Sequence, residues 1–211
     1  MNIMKELLFA TGNKSKAKRF TKGLLEHDIK VLTLEDVPIN IEVEENGNTA
    51  IENALIKARA YAKETNLPVF AMDDTLYFDN VPKDKQPGLF VRRVNGKKLN
   101  DEEMIKHYSN LAQEYGTNGL LIGRWIYGMA LINNNQEYTY TWSKENFYIT
   151  STPSNIINPG YPLNTISINI KLNKYFTEIT EEDKLLIQED ESHVVDFLVN
   201  SITDSEAKKK K

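Results

Sequence analysis

The chain has 211 residues, of which 40% are hydrophobic and 27% charged, as in an ordinary globular protein. Its net charge of −4 argues against a surface that coats nucleic acid, and the absence of cysteine excludes disulfides and thiolate chemistry. No apolar run approaches the roughly 20 residues that span a bilayer. The first residues also lack the pattern of a signal peptide, so we expect no membrane association and a cytoplasmic location.

The apolar pattern of the first third of the chain predicts alternating strands and helices. Strands are predicted at 6–10, 29–33, 39–43 and 67–72, and helices at 14–26 and 47–66. The second helix is the best defined, because Thr49 and Glu52 form a capping-box pair at its start. The fourth strand is a continuous apolar run that ends at Asp73, which is typical of a strand covered on both faces.

The rest of the chain predicts one more long helix, a hairpin and a closing helical segment. The helices are predicted at 101–112, 181–187 and 192–202, and the strands at 123–132, 137–143 and 163–170. This order favours an α/β fold with a mixed, twisted β-sheet flanked by helices. We expect residues 1–205 to form a single domain of two lobes, and residues 206–211 to form a disordered basic tail.

A group of cations follows the first predicted strand. They are Lys14, Lys16, Lys18 and Arg19. Thr11, Gly12 and Asn13 form the junction, and Asn13 is a good N-cap for the helix. Free backbone N–H groups and the helix dipole favour an anion at such a junction, and Lys16 can reach a phosphate held there. A strand-to-helix junction without a ligand remains the alternative.

Two further segments carry candidate functional residues. Asp73 and Asp74 follow a buried strand, where adjacent carboxylates need a cation, a basic partner or water. The alternative is that Asp73 caps a turn and Asp74 is solvated. Asn53 and Lys57 lie four residues apart on one face of the second helix and can address one ligand together. An exposed polar face is the alternative for that segment.

The three segments together provide an amide-lined phosphate cradle, two lysines and hard oxygen ligands. Mg²⁺ is commonly held by one or two carboxylates together with substrate phosphates. The combination therefore predicts a metal-assisted attack on a nucleotide polyphosphate.

Four blocks in this order resemble the inosine triphosphate pyrophosphatase family of non-canonical purine nucleoside triphosphate pyrophosphatases. The family's T-G-N-x-x-K corresponds to residues 11–16, and its E-x-G-x-T-x-x-E-N-A-x-x-K-A corresponds to residues 45–58. Its D-D-S-G-L corresponds to "DDTL" from Asp73, and its P-G-x-x-x-x-R corresponds to residues 87–93. The blocks cover roughly the first half of the chain.

The resemblance implies an elongated α/β fold with a central nucleotide cleft between two lobes, usually in a homodimer. It implies Mg²⁺-dependent hydrolysis of a nucleoside triphosphate to the monophosphate and pyrophosphate. The implied metal ligands are Glu44, Asp73 and Asp74, with Glu42 and Glu45 as alternatives to Glu44. The implied catalytic residues are Asp74, which orients or deprotonates the attacking water, and Lys16. The residues implied to bind substrate are Thr11, Gly12, Asn13, Lys16, Asn53, Lys57, Thr75, Tyr161, Lys184 and His193.

The second half of the chain departs from the family pattern. The family's G-F-G-Y-D-P loop becomes "NPGYPLN", which keeps Tyr161 but has Pro162 at the aspartate position. Its S-H-R block becomes "SHV", with Val194 in place of an arginine that would recognise a purine carbonyl or a phosphate. We expect altered base selection with intact triphosphate and metal handling. The prediction is a nucleotide-pool sanitising enzyme that acts on substrates such as ITP, dITP or XTP. The alternative is a diverged nucleotide-binding relative, a sensor or partner module with weak or no hydrolysis.

Overall fold

The computed structural model describes residues 4–12, 16, 18–188 and 190–209, with side chains as far as residue 203. The strands are β1 (Lys5–Phe9), β2 (Ile29–Leu32), β3 (Val69–Phe78), β4 (Arg93–Val94), β5 (Lys97–Lys98), β6 (Leu120–Asn133), β7 (Gln136–Ser143), β8 (Phe147–Thr150), β9 (Ser167–Asn169) and β10 (Lys174–Tyr175). The helices are α1 (Thr21–Leu25), α2 (Ala50–Ala62), α3 (Asp101–Tyr115), α4 (Glu181–Leu186) and α5 (Ser192–Lys209). In the described part of the chain, no helix has the length and apolar character needed to cross a membrane.

The chain divides into two compact units. The first unit consists of Met1–Asp74, Tyr127–Trp142 and Asp190–Lys211, and the second consists of Thr75–Ile126 and Ser143–Glu189. Strands β3 and β6 each contribute residues to both units. The predicted α/β class with a mixed sheet and flanking helices is confirmed.

In the first unit, β1 lies between β2 and β3 and pairs in parallel with both. Residues 7–10 are fully buried, because a central parallel strand is covered on both faces. Strand β6 is the neighbour on the other side of β3, and β7 pairs with β6. Asn134 and Asn135, with φ of 50° and 60°, form the two-residue turn between them, which confirms the predicted hairpin.

Helix α2 packs its apolar face on this sheet. Its buried alanines, Ala54 and Ala58, join residues of β1, β3 and β6 in one hydrophobic core. The Thr49 side chain accepts from the Glu52 N–H, as the sequence predicts, while the Glu52 carboxylate accepts from the N–H of Asn48. These two hydrogen bonds therefore fix the residue at which α2 begins.

In the second unit, β8 pairs antiparallel with β6, β9 with β8 and β10 with β9. Helix α3 covers this part of the sheet and begins with a complete capping box formed by Asn100 and Glu103. Its residues Met104, Tyr108 and Leu111 lie in the second hydrophobic core, together with residues of β3, β6 and β8. The helix predicted at 101–112 is confirmed and is three residues longer.

Several predicted boundaries are wrong. Residues 39–43 form no strand; Ile39, Ile41 and Val43 alternate toward the core, but the segment has no assigned strand pairing. Strand β3 does not end at Asp73 but continues through both aspartates. Only Ser167–Asn169 of the strand predicted at 163–170 is present, after a 3-10 turn at Pro162–Thr165.

The remaining helices differ from prediction mainly in length. Of the helix predicted at 14–26, the structure describes a helical backbone at Lys16 and Lys18 and the helix α1, whereas residues 13–15 and 17 lie outside the described residues. Helix α4 has the predicted cap pair, Thr180 and Asp183. Helix α5 runs to Lys209 and so reaches into the segment predicted as a basic tail.

Candidate active site

Strands β1 and β3 bring two of the motif segments together within the first unit. Phe9, the last residue of β1, pairs with Phe70, and the N–H of Ala10 donates to the Phe70 carbonyl at 2.9 Å. Because the strands are parallel, the chain after β1 lies level with the later residues of β3. Those later residues are Asp73 and Asp74.

Lys16 and Asp74 form an ion pair in this place. The ammonium group donates to Oδ1 of the carboxylate, and the two side chains are 27% and 25% exposed. The predicted catalytic pair is therefore in direct contact. Because both groups are partly exposed, water and ligands can compete for either of them.

The second carboxylate, Asp73, has different partners. Its Oδ2 accepts from Nδ2 of Asn53 at 2.9 Å, and its Oδ1 accepts from the backbone N–H of Asp74 at 3.0 Å. Oδ1 of Asn53 in turn accepts from the N–H of Gly47 at 2.8 Å. The adjacent aspartates thus have different partners. Asp74 contacts the flexible ammonium group of Lys16, whereas Asp73 contacts an asparagine amide and a backbone N–H.

The acidic segment before α2 contains Glu42, Glu44 and Glu45, and an ion pair joins it to α2. Nζ of Lys57 lies 2.8 Å from Oε2 of Glu45, with the lysine side chain 16% exposed. Burial and then the charge of Glu45 raise the pKa of Tyr61, one turn further along α2. Glu42 and Glu44 are exposed. Lys57, predicted to bind substrate, therefore contacts a carboxylate of the protein.

Two carboxylates of the first unit are of the kind that a hard divalent cation prefers. Asp74 and the exposed Glu44 offer carboxylate oxygens, which Mg²⁺ prefers, and both belong to the first unit. Within the described residues, no group of three or more histidine, aspartate or glutamate side chains is assembled that could hold a metal ion. Mg²⁺ usually takes one or two protein carboxylates and completes its shell with phosphates and water.

The junction after β1 is open. Gly12 is exposed, and a Cβ added to it would meet no atom of the described residues within 4 Å. Thr11 is half-buried, and its N–H donates to the Phe9 carbonyl at 2.9 Å. Asn13, predicted as the N-cap and a substrate ligand, lies outside the described residues. The space around Gly12 can admit a ligand against the backbone.

Arg19 extends the cationic segment into a partly buried contact that the sequence does not predict. Its Nε donates to both oxygens of the Glu191 carboxylate, at 3.0 and 2.8 Å. Its guanidinium carbon lies 4.5 Å from the ring centroid of Tyr127 and 5.6 Å from that of Trp142. Burial opposes the charge of Arg19, but the contacts with Glu191 outweigh it and raise the pKa of the guanidinium.

The anions near the predicted cationic cluster are therefore, in part, carboxylates of the protein. Lys16 contacts Asp74 and Arg19 contacts Glu191. These partners lie 58 and 172 residues away along the chain. Local sequence can identify a group of cations, but it does not identify partners at such distances.

The other predicted site residues divide between the units. In the first unit, Nδ1 of the exposed His193 lies 3.0 Å from the Tyr140 hydroxyl. In the second unit, Thr75 is buried and its hydroxyl donates to the Ile126 carbonyl at 3.2 Å. Lys184 is exposed and lies 2.6 Å from Glu181.

Tyr161 belongs to the second unit and is 54% exposed. The preceding Gly160 has φ of +82°, and its N–H donates to Asp101 Oδ2 at 2.7 Å. Pro162, at the position of the family's aspartate, is buried at the start of a 3-10 turn. The loop is therefore held by its backbone, and its tyrosine ring faces solvent.

The model of the Ham1 family matches residues 7–127 of this chain. The chain belongs to the Ham1 family. This confirms the resemblance to the inosine triphosphate pyrophosphatases, and the match includes all four blocks of the first half. It ends before Tyr161, Lys184 and His193, so it does not extend to the part of the chain that departs from the family pattern.

Curated relatives of this Ham1 chain are named dITP/XTP pyrophosphatases. The protein from Bacillus subtilis is 30% identical over 202 residues, which is 94% of this chain and 96% of that protein. The protein from Oceanobacillus iheyensis is 38% identical over 104 residues, and in that alignment the chain spans about half of the relative, 52%. The similarity therefore reaches higher identity over about half of the chain and extends at lower identity over nearly the whole length.

Solved structures of Ham1 proteins have the same fold. The protein from Coxiella burnetii has a TM-score of 0.74 at 24% identity, with 95% of this chain and 100% of that chain covered. The Staphylococcus aureus Ham1 protein has a TM-score of 0.68 at 22% identity, with 96% and 100% covered. The fold therefore includes the second half of the chain, where the sequence motifs are weakest.

Proposed function

We propose that this Ham1 chain hydrolyses nucleoside triphosphates to the monophosphate and pyrophosphate. The contact between Lys16 and Asp74 carries this proposal, because it joins the T-G-N-x-x-K and D-D-T segments in one partly exposed place of the first unit. The names of the relatives, dITP/XTP pyrophosphatases, support non-canonical purine nucleotides as the substrate class and a role in cleaning the nucleotide pool.

In the proposed mechanism, Asp74 and Glu44 would hold a Mg²⁺ ion, which would supply charge neutralisation for the polyphosphate. Asp74 orients a water molecule toward the α-phosphorus and accepts its proton as the bond to the β-phosphate breaks. The ammonium group of Lys16 stabilises the negative charge that develops on the departing pyrophosphate. The Gly12 backbone binds the polyphosphate beside Thr11. The nucleophile is the water molecule, so no covalent nucleophile is needed.

Base selection is proposed to depend on the second half of the chain, where this sequence departs from the family. Val194, in place of an arginine, is fully buried at the start of α5, and Pro162 removes a carboxylate acceptor from the loop around Tyr161. A base contact through either position is therefore lost. We propose a cytoplasmic, homodimeric enzyme whose preference among purine triphosphates differs from that of relatives with the complete motifs.

The proposal is tested by pyrophosphate release from a panel of triphosphates that includes ATP, GTP, ITP, dITP, XTP and the pyrimidine nucleotides. Release should require Mg²⁺, should be fastest with a deaminated purine, and should be absent in Asp74→Asn. Nucleotide binding without Mg²⁺-dependent release from any substrate would instead identify a sensor or partner module. Size-exclusion chromatography with light scattering tests the dimer.

A further inference from the structure

We propose that Asn53 is a positioning residue that fastens Asp73 to the backbone of Gly47, and that Asp73 acts through this contact and not as a metal ligand. The sequence assigns the two side chains to substrate and to metal. The effect of this contact on metal binding rests on the proposed function, because the acidic segment that ends at Gly47 contains the proposed metal ligand Glu44.

The hydrogen bonds of Asn53 leave little for a ligand. The residue lies in the first turn of α2 and is 5% exposed. Its Oδ1 accepts from the Gly47 N–H at 2.8 Å, and its Nδ2 donates to Asp73 Oδ2 at 2.9 Å. The orientation of the amide follows from its partners, since a backbone N–H only donates and an ionised carboxylate only accepts.

Both oxygens of Asp73 have fixed donors. Oδ2 accepts from Asn53, and Oδ1 accepts from the Asp74 N–H at 3.0 Å. Neither donor can move away without disturbing α2 or β3. The partner of Asp74 is instead a flexible, partly exposed lysine, which an entering cation can replace. The two adjacent carboxylates therefore have separate roles.

Gly47 is required by the close approach of its backbone to Asn53. A Cβ at this position would lie 2.7 Å from Asn53 Oδ1 and 2.7 Å from Glu52 Cβ. Any side chain would therefore push the segment off the helix. Because Glu45 and Glu44 lie two and three residues before Gly47, the contact sets the distance of the acidic segment from β3.

An exchange of the two side chains tests this assignment. In the variant Asn53→Asp with Asp73→Asn, the new carboxylate accepts from Gly47 and from the new amide, whose oxygen still accepts from the Asp74 N–H. All three hydrogen bonds and the net charge are preserved. Asn53→Asp alone places two carboxylates against each other, and Asp73→Asn alone leaves two donors facing each other at one end.

The measurements are the midpoint of thermal unfolding and the affinity of the nucleotide-free protein for Mn²⁺ by electron paramagnetic resonance. Each single variant should unfold about 5 °C lower and bind Mn²⁺ about tenfold more weakly. The double variant should regain the wild-type thermal midpoint, and its Mn²⁺ affinity should lie within about twofold of the wild-type value. Asn110→Asp, on the exposed side of α3 in the second unit, makes the same change of charge and should alter neither.

Two results would overturn the inference. A double variant that regains stability but not Mn²⁺ affinity would make Asp73 a ligand in its own right, and one that regains neither would mean that the contacts do not form in solution. The proposed function fails separately. A wild-type protein that binds Mn²⁺, shows the expected rescue and releases no pyrophosphate would leave the role of Asn53 standing and refute hydrolysis.

Discussion

Lys16 and Asp74 form an ion pair although 58 residues separate them in the chain. The proposed mechanism requires both groups for other partners, since Lys16 is assigned to phosphate and Asp74 to a cation. Each therefore neutralises the other until a metal–nucleotide complex replaces both contacts. Binding of the cation and of the polyphosphate should consequently depend on each other.

Lys16→Ala should change two affinities in opposite directions. Without its ammonium partner, Asp74 is more available, so the nucleotide-free protein should bind Mn²⁺ up to about fivefold more tightly, as expected for loss of a partly exposed ion pair. The affinity for a triphosphate should fall at least about tenfold, because a charge-assisted contact is lost. Calorimetric titration measures both.

Lys18→Ala is the matched control for this prediction, since Lys18 is exposed on the same segment. It should leave the Mn²⁺ affinity unchanged. Equal triphosphate affinities of Lys16→Ala and the wild-type protein would place the phosphate site elsewhere.

Asp74→Asn should abolish turnover while the protein remains folded. The substitution removes a negative charge without changing volume, and the loss of a partly exposed ion pair costs at most about 1 kcal/mol. Pyrophosphate release should fall at least about a hundredfold, and the thermal midpoint should fall by less than about 4 °C. Wild-type turnover in this variant would mean that another carboxylate performs the chemistry.

The strands, helices and motif segments of the first unit could be predicted because they depend on local patterns. Buried parallel strands are continuous apolar runs, and the cap pair of α2 lies within three residues. The strand predicted at 39–43 is wrong because alternating apolar residues indicate only that one side of the segment is buried. A strand also needs hydrogen bonds to a neighbouring strand. The length of β3 was missed because aspartates usually end a strand, whereas Asp73 is stabilised here by Asn53.

The sequence names candidate site residues one by one, but it does not give the contacts among them. Sequence patterns select Lys57 and Asn53 as polar residues on one helix face, and they do not reveal that Glu45 and Asp73 are their partners. The contact between Arg19 and Glu191 joins the first helix region to the start of α5. Such pairings depend on how distant segments fold together, which no local spacing encodes.

Two glycine-to-alanine substitutions should separate folding from binding. A Cβ at Gly47 would overlap Asn53 and Glu52, so Gly47→Ala should lower the thermal midpoint by about 3–10 °C, as overpacking costs about 1–3 kcal/mol. A Cβ at Gly12 would meet no atom of the described part of the chain within 4 Å, so Gly12→Ala should leave the midpoint unchanged. It should weaken triphosphate binding, because the added methyl group occupies space offered to the ligand. Unaltered nucleotide affinity in Gly12→Ala would argue against a backbone cradle at this junction.

The hydrogen bond between the Gly160 N–H and Asp101, which holds the Tyr161 loop, should depend on pH. The hydrogen bond from Arg92 and then that from the Gly160 N–H lower the pKa of Asp101 below its usual 3.8. Its stabilising effect is therefore complete above that usual value, which applies to the unfolded state, and is lost as the pH falls through the lower folded-state pKa. The difference in free energy of unfolding between wild type and Asp101→Asn, from urea titrations between pH 2.5 and 7, should be greatest near neutrality and shrink below pH 4. A difference that stays constant across this range would show that neither contact acts on the ionised carboxylate.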